Sequence, residues 1–319
     1  MGRLLGVIDS LSAGYRFLGR RLELLLVPVL LDLLLWLAPR LSIAPLMRQV
    51  AAFYASATTL EGLPADMAAL SRQVSEQLAA GGQRSNLLEM LVNSSLLHVP
   101  SLLATLGPVS QGRILEIDHP LAAFGLLGGF GLLGLLIGVV YMNLLAQRLP
   151  LGSAPKASDP GSFVQTVARQ WVMVVLYLLF LLVLLAAGAI PALVATAMMS
   201  LFSPLLGSFL MVLFSGAVLV LFFYLFFVTA ALVLDNLPIH LAVAQSFMLV
   251  RNNFWATLGF VVLSNVILAG VALLAARLTT WSPLGIVAAI VIYAYIGSGL
   301  AMALLVFYRT RVLRGEKAG

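Results

Sequence analysis

The sequence lacks cysteine and has few charged residues. Without cysteine the chain forms no disulfide and offers no thiolate for nucleophilic catalysis, iron–sulfur ligation or thiolate zinc binding. Charged residues make up 9% and hydrophobic residues 62% of its 319 residues, whereas an ordinary soluble domain has about 25% charged and roughly 45–50% apolar residues. This composition excludes a soluble enzyme, a disordered chain and a secreted module, and it indicates an integral membrane protein.

The excess of basic over acidic residues is explained by the expected membrane topology of the chain. The formal net charge is +6 and the sequence pI is near 10.0, while the mean hydropathy is +1.08. In a soluble protein such a charge would suggest nucleic acid, but cytoplasmic loops of membrane proteins carry surplus Lys and Arg. We therefore expect membrane lipids and other membrane-protein subunits as partners, and no nucleic acid.

Long apolar runs predict the fold class. About 20 apolar residues are needed to cross a hydrocarbon core of about 30 Å, so we expect an all-α, polytopic transmembrane helical bundle with about six spans. Pro191 is expected to kink the third span or end it near Ala189, leaving 192–205 as an interfacial connection. The predicted spans are 22–38, 121–146, 170–199, 206–233, 255–277 and 283–308.

Six spans divide the Lys and Arg residues unequally between the two sides. Twelve fall on the side of the termini and six on the other, where five of the six lie in one long segment. Because basic residues are retained on the cytoplasmic side, both termini are predicted to be cytoplasmic, in what we expect to be a bacterial cytoplasmic membrane.

The chain is expected to have three parts. Residues 1–39 would form an amphipathic helix and the first span, 40–118 a helical extracytoplasmic insertion, and 119–319 a five-span membrane bundle. Within the insertion we predict helices at 64–80, closed by two glycines, and at 86–97, with Asn86 and Glu89 spaced as a capping box. Residues 113–118 read as an extended run.

Amphipathic stretches precede three of the spans. Each ends in basic residues, so these elbows are predicted to lie in the headgroup layer as in-plane helices, where Arg meets anionic phosphates. The candidate headgroup contacts are Arg20, Arg21, Arg169 and Arg251. Either an elbow followed by two spans is a unit repeated three times, or the membrane interface alone imposes the pattern on any such helix.

The third elbow carries a family resemblance. The stretch 242–255, AVAQSFMLVRNNFW, runs directly into a span. Over about 235–277 it resembles bacterial six-span membrane proteins that include the membrane domain attached to some glycerophosphodiester phosphodiesterases. The resemblance implies the architecture and a link to lipid or membrane organisation. It carries over no catalytic residues, since the stretch that carries it resembles the membrane domain and not the soluble phosphodiesterase domain.

Asp32 is the most informative single residue. It lies about ten residues into the first predicted span, hence about 15 Å deep, where an ionised carboxylate costs about 2.5–3.5 kcal/mol. It should therefore be paired or protonated. It is either a proton or cation site or a hydrogen-bonded packing device, and its candidate partners are Asn143, Asn265, Tyr293 and Tyr295.

Glycines recur in the second predicted span. Gly125 and Gly129 are spaced by four residues, as are Gly134 and Gly138, and the sixth span carries small residues near Gly297 and Gly299. Small residues at this spacing let helix backbones approach closely in lipid. Close helix packing is the favoured interpretation, and a ligand passage between thin helices is the alternative.

The remaining motifs predict no catalysis. His98 and His119 lack a third ligand at metal-binding spacing, and His240 lies on an elbow. Nucleotide-binding and serine-hydrolase motifs do not occur, so we expect no catalytic residue, no metal and no cofactor. The leading functional hypothesis is a non-enzymatic membrane scaffold or accessory protein that organises lipid or a complex. A small transporter or channel working around Asp32 is the alternative, and a membrane-embedded lipid enzyme comes third.

Overall fold

A computed structural model describes residues 6–57, 65–93, 99–107, 113–149 and 160–318. The N-terminal part contains α1 Val7–Leu18, a 3₁₀ turn Leu22–Leu25, α2 Leu26–Leu37, β1 Arg40–Ser42, α3 Ala44–Ala57, α4 Ala65–Arg84, a 3₁₀ turn Leu87–Glu89, α5 Met90–Asn93, α6 Leu102–Leu106 and β2 Ile114–Glu116. The remainder contains α7 Pro120–Ala146, α8 Pro160–Phe202, α9 Pro204–Tyr224, α10 Val228–Leu234, α11 Ile239–Asn252, α12 Phe254–Thr279 and α13 Pro283–Ala318.

The chain is an all-α polytopic protein, as predicted from composition. Among the described residues, five helical segments are long and apolar enough to cross a membrane. They are Pro120–Ala146, Gly161–Phe202, Pro204–Leu234, Phe254–Thr279 and Pro283–Leu313. Each contains one of the last five predicted spans. The prediction succeeds because it depends on a long run of apolar residues, the same local property that allows a helix to cross the membrane.

The first predicted span is shorter than expected. Residues 22–38 were predicted to form a span, but they contain a 3₁₀ turn of four residues followed by the 12-residue α2. At about 2.0 Å and 1.5 Å per residue the two together measure about 26 Å. The segment is therefore not one of the five long spans.

Two expectations about α8 are wrong. The helix neither ends near Ala189 nor leaves 192–205 as a connection, because it continues through Pro191 to Phe202 over 43 residues. The second elbow is likewise not a separate helix, since 160–171 is the first part of α8. The first and third elbows are separate helices, α1 and α11.

The chain divides into two compact units. The elbow unit comprises Met1–Arg21, Val139–Asn265 and Gly299–Gly319, and the insertion unit comprises Leu22–Gly138 and Val266–Ser298. The three parts predicted from the sequence, with boundaries after residues 39 and 118, are consecutive along the chain. They stay a prediction.

Aromatic rings form the core of the elbow unit. Phe227 stacks on Phe307 with ring centroids 5.7 Å apart, and Phe260 lies 4.8 Å from the same ring. Tyr308 also contacts Phe227, and all four side chains are buried. The core thus packs the residues between α9 and α10 against both α12 and α13.

Helix α1 contacts α13 at positions without room for a side chain. A Cβ on Gly14 would lie 2.6 Å from the backbone N of Ala303, and one on Gly299 would lie 2.1 Å from the Tyr15 ring. The small residues predicted in the sixth span therefore serve backbone approach, as helix packing in lipid requires.

The insertion unit is held by a short parallel sheet and a helix pair. β1 pairs with β2 in the register Arg40–Ile114, Leu41–Leu115 and Ser42–Glu116, which confirms the extended run predicted there. Helix α4 covers the predicted 64–80 helix but runs on through its two glycines to Arg84. Asn86 caps the next turn by accepting from Leu88 N at 3.2 Å; the predicted helix 86–97 is described only to Asn93.

Candidate functional site

Asp32 is fully buried and bound to the start of α6. The side chain is 0% exposed. Its carboxylate accepts hydrogen bonds from Leu102 N at 2.9 Å, from Leu103 N at 3.4 Å and from the Ser101 hydroxyl. The first N–H groups of a helix have no partner within the helix, and Asp32 supplies that partner from α2.

The predicted partners of Asp32 make other hydrogen bonds. Asn143 donates to Val139 O at 2.9 Å and to Gln170 Oε1 at 2.5 Å. Asn265 is exposed and donates to Val261 O of its own helix at 2.8 Å. Tyr293 shares a hydrogen bond of 3.1 Å with Thr105, whose hydroxyl donates to Ser101 O. The predicted cluster Asp32, Asn143 and Asn265 is therefore not joined by hydrogen bonds.

Gln170 connects three segments of the elbow unit. This buried amide of α8 accepts from Asn143 of α7 and donates to Val233 O and to Asn236 Oδ1 at 2.9 and 3.0 Å. Asn236 has a positive φ of 54°, a conformation that Asn tolerates better than most residues. Sequence analysis missed Gln170 because nothing local distinguishes it from an exposed interfacial glutamine.

Asp235 binds the turn before α11 to the end of α13. Its carboxylate forms an ion pair with Arg309, accepts from the Tyr308 hydroxyl at 2.5 Å and from Gln245 Nε2 at 3.4 Å. Sequence analysis had counted Arg309 only as a topological charge. Its pairing with Asp235 involves residues 74 positions apart, which no local pattern predicts.

Ser246 fixes α11 against the preceding turn. Its hydroxyl is buried, donates to Tyr224 O at 2.7 Å and accepts from Phe227 N at 3.1 Å. These bonds satisfy backbone groups where α9 ends and α10 begins, since such terminal groups lack partners within a helix. The third elbow is thereby held in one position.

A cavity lies between α11 and the end of α13. Its volume is about 420 Å³, within the range of about 300–1,000 Å³ typical of small-molecule sites. Its polar lining consists of Gln245, Asn252, Asn253 and Arg311, and the rest is apolar. Among the described lining residues, Arg311 is the charged one. Sequence analysis had not singled it out because its burial is a tertiary property.

The predicted headgroup contacts are all on the surface. Arg20 and Arg21 follow α1, Arg169 lies on α8 and Arg251 on α11, and each is exposed. Exposure leaves these guanidinium groups accessible to phosphate groups at a membrane surface. Their role in lipid contact stays a prediction.

The glycines of α7 fall into two groups. Gly134 and Gly138 are buried, whereas Gly125 and Gly129 are exposed. A Cβ on either exposed glycine would meet nothing within 4 Å. Within the described residues, only the second pair is thus placed for close packing.

The histidines do not form a metal cluster in the described part of the chain. Searching those residues finds no group of three or more His, Asp, Glu or Cys that could hold a metal ion. His119 and His240 are exposed, and His98 lies outside the described residues.

Comparisons with known protein families, curated proteins and solved structures find no match. The resemblance of 235–277 to the phosphodiesterase-linked membrane domains therefore stays a prediction.

Proposed function

We propose that this protein is a non-enzymatic membrane scaffold or accessory protein that organises anionic lipid or a membrane complex. The observation that carries the proposal is the state of Asp32. Its carboxylate is buried and accepts three hydrogen bonds from the first turn of α6, so it serves the fold. A carboxylate that loads and releases a cation needs ligand positions free for the ion.

The polar groups of the elbow unit support the same proposal. Gln170, Asp235 and Ser246 each bridge chain segments, and their bonds fix the elbow α11 and the end of α13. Such networks make a structure rigid and specify one arrangement. A rigid elbow presents Arg251 at a constant position, which suits a protein that holds lipid in place.

The first experiment measures transport. Purified protein in liposomes should carry no proton or ion flux above that of protein-free liposomes when a pH or salt gradient is applied. Flux that is present in the wild type and lost in Asp32→Asn would establish the transporter alternative and overturn the scaffold proposal.

The second experiment measures lipid retention through the elbows. Neutralising Arg20, Arg21, Arg169 and Arg251 to Gln together should lower the anionic lipid that copurifies with the protein, at about 1 kcal/mol per basic residue near a membrane surface. The control quadruple Arg72, Arg84, Arg113 and Arg277 to Gln makes the same change in net charge at exposed positions. Equal retention in both variants would remove the elbows from lipid binding.

A further inference from the structure

Arg311 is a buried cation with unused hydrogen-bond capacity. The residue is 8% exposed, its guanidinium carbon lies 3.3 Å from the centroid of the Phe307 ring, and Nη1 donates to Phe307 O at 3.2 Å. Nε is buried and has no hydrogen-bond partner. An arginine has five N–H donors, so most of its donor capacity is not used by these contacts.

No carboxylate among the described residues forms an ion pair with Arg311. Of the acidic side chains that the structure describes near this end of α13, Asp235 is already paired with Arg309 and bound to Tyr308. A buried charge without a partner is strongly unfavourable. Among the side chains that the structure describes, the positive charge of Arg311 thus has no anionic partner.

The cavity beside Arg311 has room for such a partner. The volume of the cavity, about 420 Å³, is of the size that small-molecule sites have and larger than one small ion fills. Among the described side chains, the lining contains no acidic residue. The amide of Asn252 adds donor groups, and the Gln245 and Asn253 amides, which each donate one bond to the protein, have a second N–H. The electrostatics of the cavity thus favour an anion.

The apolar lining indicates what the anion is attached to. Leu241 and Met248 line the cavity and are 48% and 61% exposed on α11. Trp255, three residues beyond the end of α11, is 80% exposed, and tryptophan is typical of the membrane–water interface. A ligand with a charged end and a hydrocarbon body satisfies both the polar and the apolar parts of this site.

We infer that the cavity between α11 and α13 binds the phosphate group of an anionic lipid, with Arg311 as its cationic partner and acyl chains along Leu241 and Met248. The planar guanidinium matches the geometry of a phosphate, to which it donates two parallel hydrogen bonds. The inference deepens the proposed function, on which it rests for the choice of a lipid as ligand.

The experiment measures binding of phosphatidylglycerol to purified protein in a neutral detergent, by thermal shift and by native mass spectrometry. Arg311→Met keeps an apolar stem over Phe307 and removes the charge. Ala244→Phe adds a ring at a residue that lines the cavity and leaves the charge in place. Arg277→Gln, an exposed arginine outside the cavity, is the control for net charge.

We expect both cavity variants to weaken the apparent affinity for phosphatidylglycerol at least tenfold, and the control to leave it unchanged. Phosphatidylcholine, whose headgroup is neutral overall, should bind the wild type more weakly. Wild-type affinity in a folded Arg311→Met or Ala244→Phe variant would overturn the site. Should Arg311→Met fail to fold, Ala244→Phe decides the question, because it retains the charge.

Inorganic phosphate separates a lipid headgroup from a free anion. Phosphate alone should give no thermal shift at concentrations where phosphatidylglycerol saturates the protein, and a shift of equal size would overturn the lipid assignment. The liposome flux measurement is independent of these results. If phosphatidylglycerol does not bind at Arg311 and no flux is measured, the scaffold proposal stands without this site. If flux is measured while phosphatidylglycerol still binds at Arg311, only the scaffold proposal is overturned.

Discussion

The carboxylate of Asp32 accepts hydrogen bonds from three donors that lie 69 to 71 positions further along the chain. The sequence alone predicted that Asp32 would be paired or protonated, because a charge in an apolar run is otherwise too costly. It left open whether the residue is a proton or cation site or a hydrogen-bonded packing device. It could not predict the partners. Ser101 and the N–H groups after it look like an ordinary helix start, and only the tertiary fold brings α2 to them.

Replacing Asp32 tests this role. In Asp32→Asn one oxygen still accepts, but the amide NH₂ faces a backbone donor, so we expect the free energy of unfolding to fall by about 1–3 kcal/mol. Asp32→Leu leaves all three donors without a partner and should lose at least as much. Thermal unfolding in detergent measures both variants.

The control is Asp118→Asn, at an exposed position. A surface change of this kind should stay within about 0.5 kcal/mol of the wild type. If Asp32→Asn unfolded at the same temperature as this control, the carboxylate would not be needed to hold α6.

Glu89 provides a pH-dependent test in the insertion unit. Burial raises the pKa of the Glu89 carboxyl above its ordinary value, while the Arg40 guanidinium opposes that rise. A raised folded-state pKa favours folding when the group is protonated. Its contribution is therefore full below the unfolded pKa of about 4.3 and is lost as pH rises through the folded value.

Glu89→Gln should consequently raise the thermal stability at pH 7 and leave it unchanged near pH 4, where the wild type is also neutral. Unfolding temperatures at the two pH values give the result. Glu76→Gln, at an exposed position of α4, controls for the lost charge and should show no pH-dependent gain. A gain of equal size at both pH values would assign the effect to packing.

At the level of helices, local pattern predicted the long spans but not how they are continued or joined. Hydropathy found α7, α8, the continuous pair α9 and α10, α12 and α13, because each spanning segment is apolar along its own length. It failed at Pro191, since helices in apolar surroundings tolerate proline when neighbouring groups satisfy the freed carbonyl. It also could not pair β1 with β2, because three-residue strands 74 positions apart leave no periodic signal.

The contact between α1 and α13 makes a quantitative prediction. Gly14→Ala places a Cβ 2.6 Å from a backbone atom of Ala303, which cannot rotate away. Overpacking of this kind costs about 1–3 kcal/mol, so the variant should unfold at a lower temperature. Gly125→Ala is the matched control, since its Cβ meets nothing within 4 Å and alanine gains up to about 1 kcal/mol of helix propensity. A Gly14→Ala variant as stable as Gly125→Ala would contradict the close packing.

For the whole molecule, the charge distribution predicts orientation even with five long spans. The segment 40–118 is too long for its basic residues to count. From residue 147 on, counting those near the ends of the long spans as well as those between and after them, eight Lys and Arg lie on the side of the C-terminus and one, Arg277, on the other. The C-terminus is therefore expected to be cytoplasmic, whether or not residues 22–37 cross the membrane.

The N-terminus distinguishes the two topologies. If 22–37 cross, Arg3, Arg16, Arg20 and Arg21 are cytoplasmic, in agreement with the retention of basic residues, so we expect both termini inside. Reporters before Met1 and after Gly319 should thus respond alike, and one inserted at the exposed Asp118, between β2 and α7, should lie outside. Opposite responses from the two termini would mean that 22–37 do not cross.

The length of α8 sets a relation between the protein and the thickness of its bilayer. After its more polar start, which contains Arg169 and Gln170, residues 171–202 of α8 measure about 48 Å. Even a tilt of about 40°, the upper end of the usual range, places only about 39 Å of helix in a 30 Å core. The hairpin of α8 and α9 ends in exposed Leu201, Phe202 and Leu205, so its tip is apolar too. The excess length of apolar helix is hydrophobic mismatch. The protein should therefore unfold at a higher temperature in nanodiscs of lipids with 18-carbon acyl chains than in nanodiscs of lipids with 14-carbon chains. In a cell it should be enriched where the membrane is thickest.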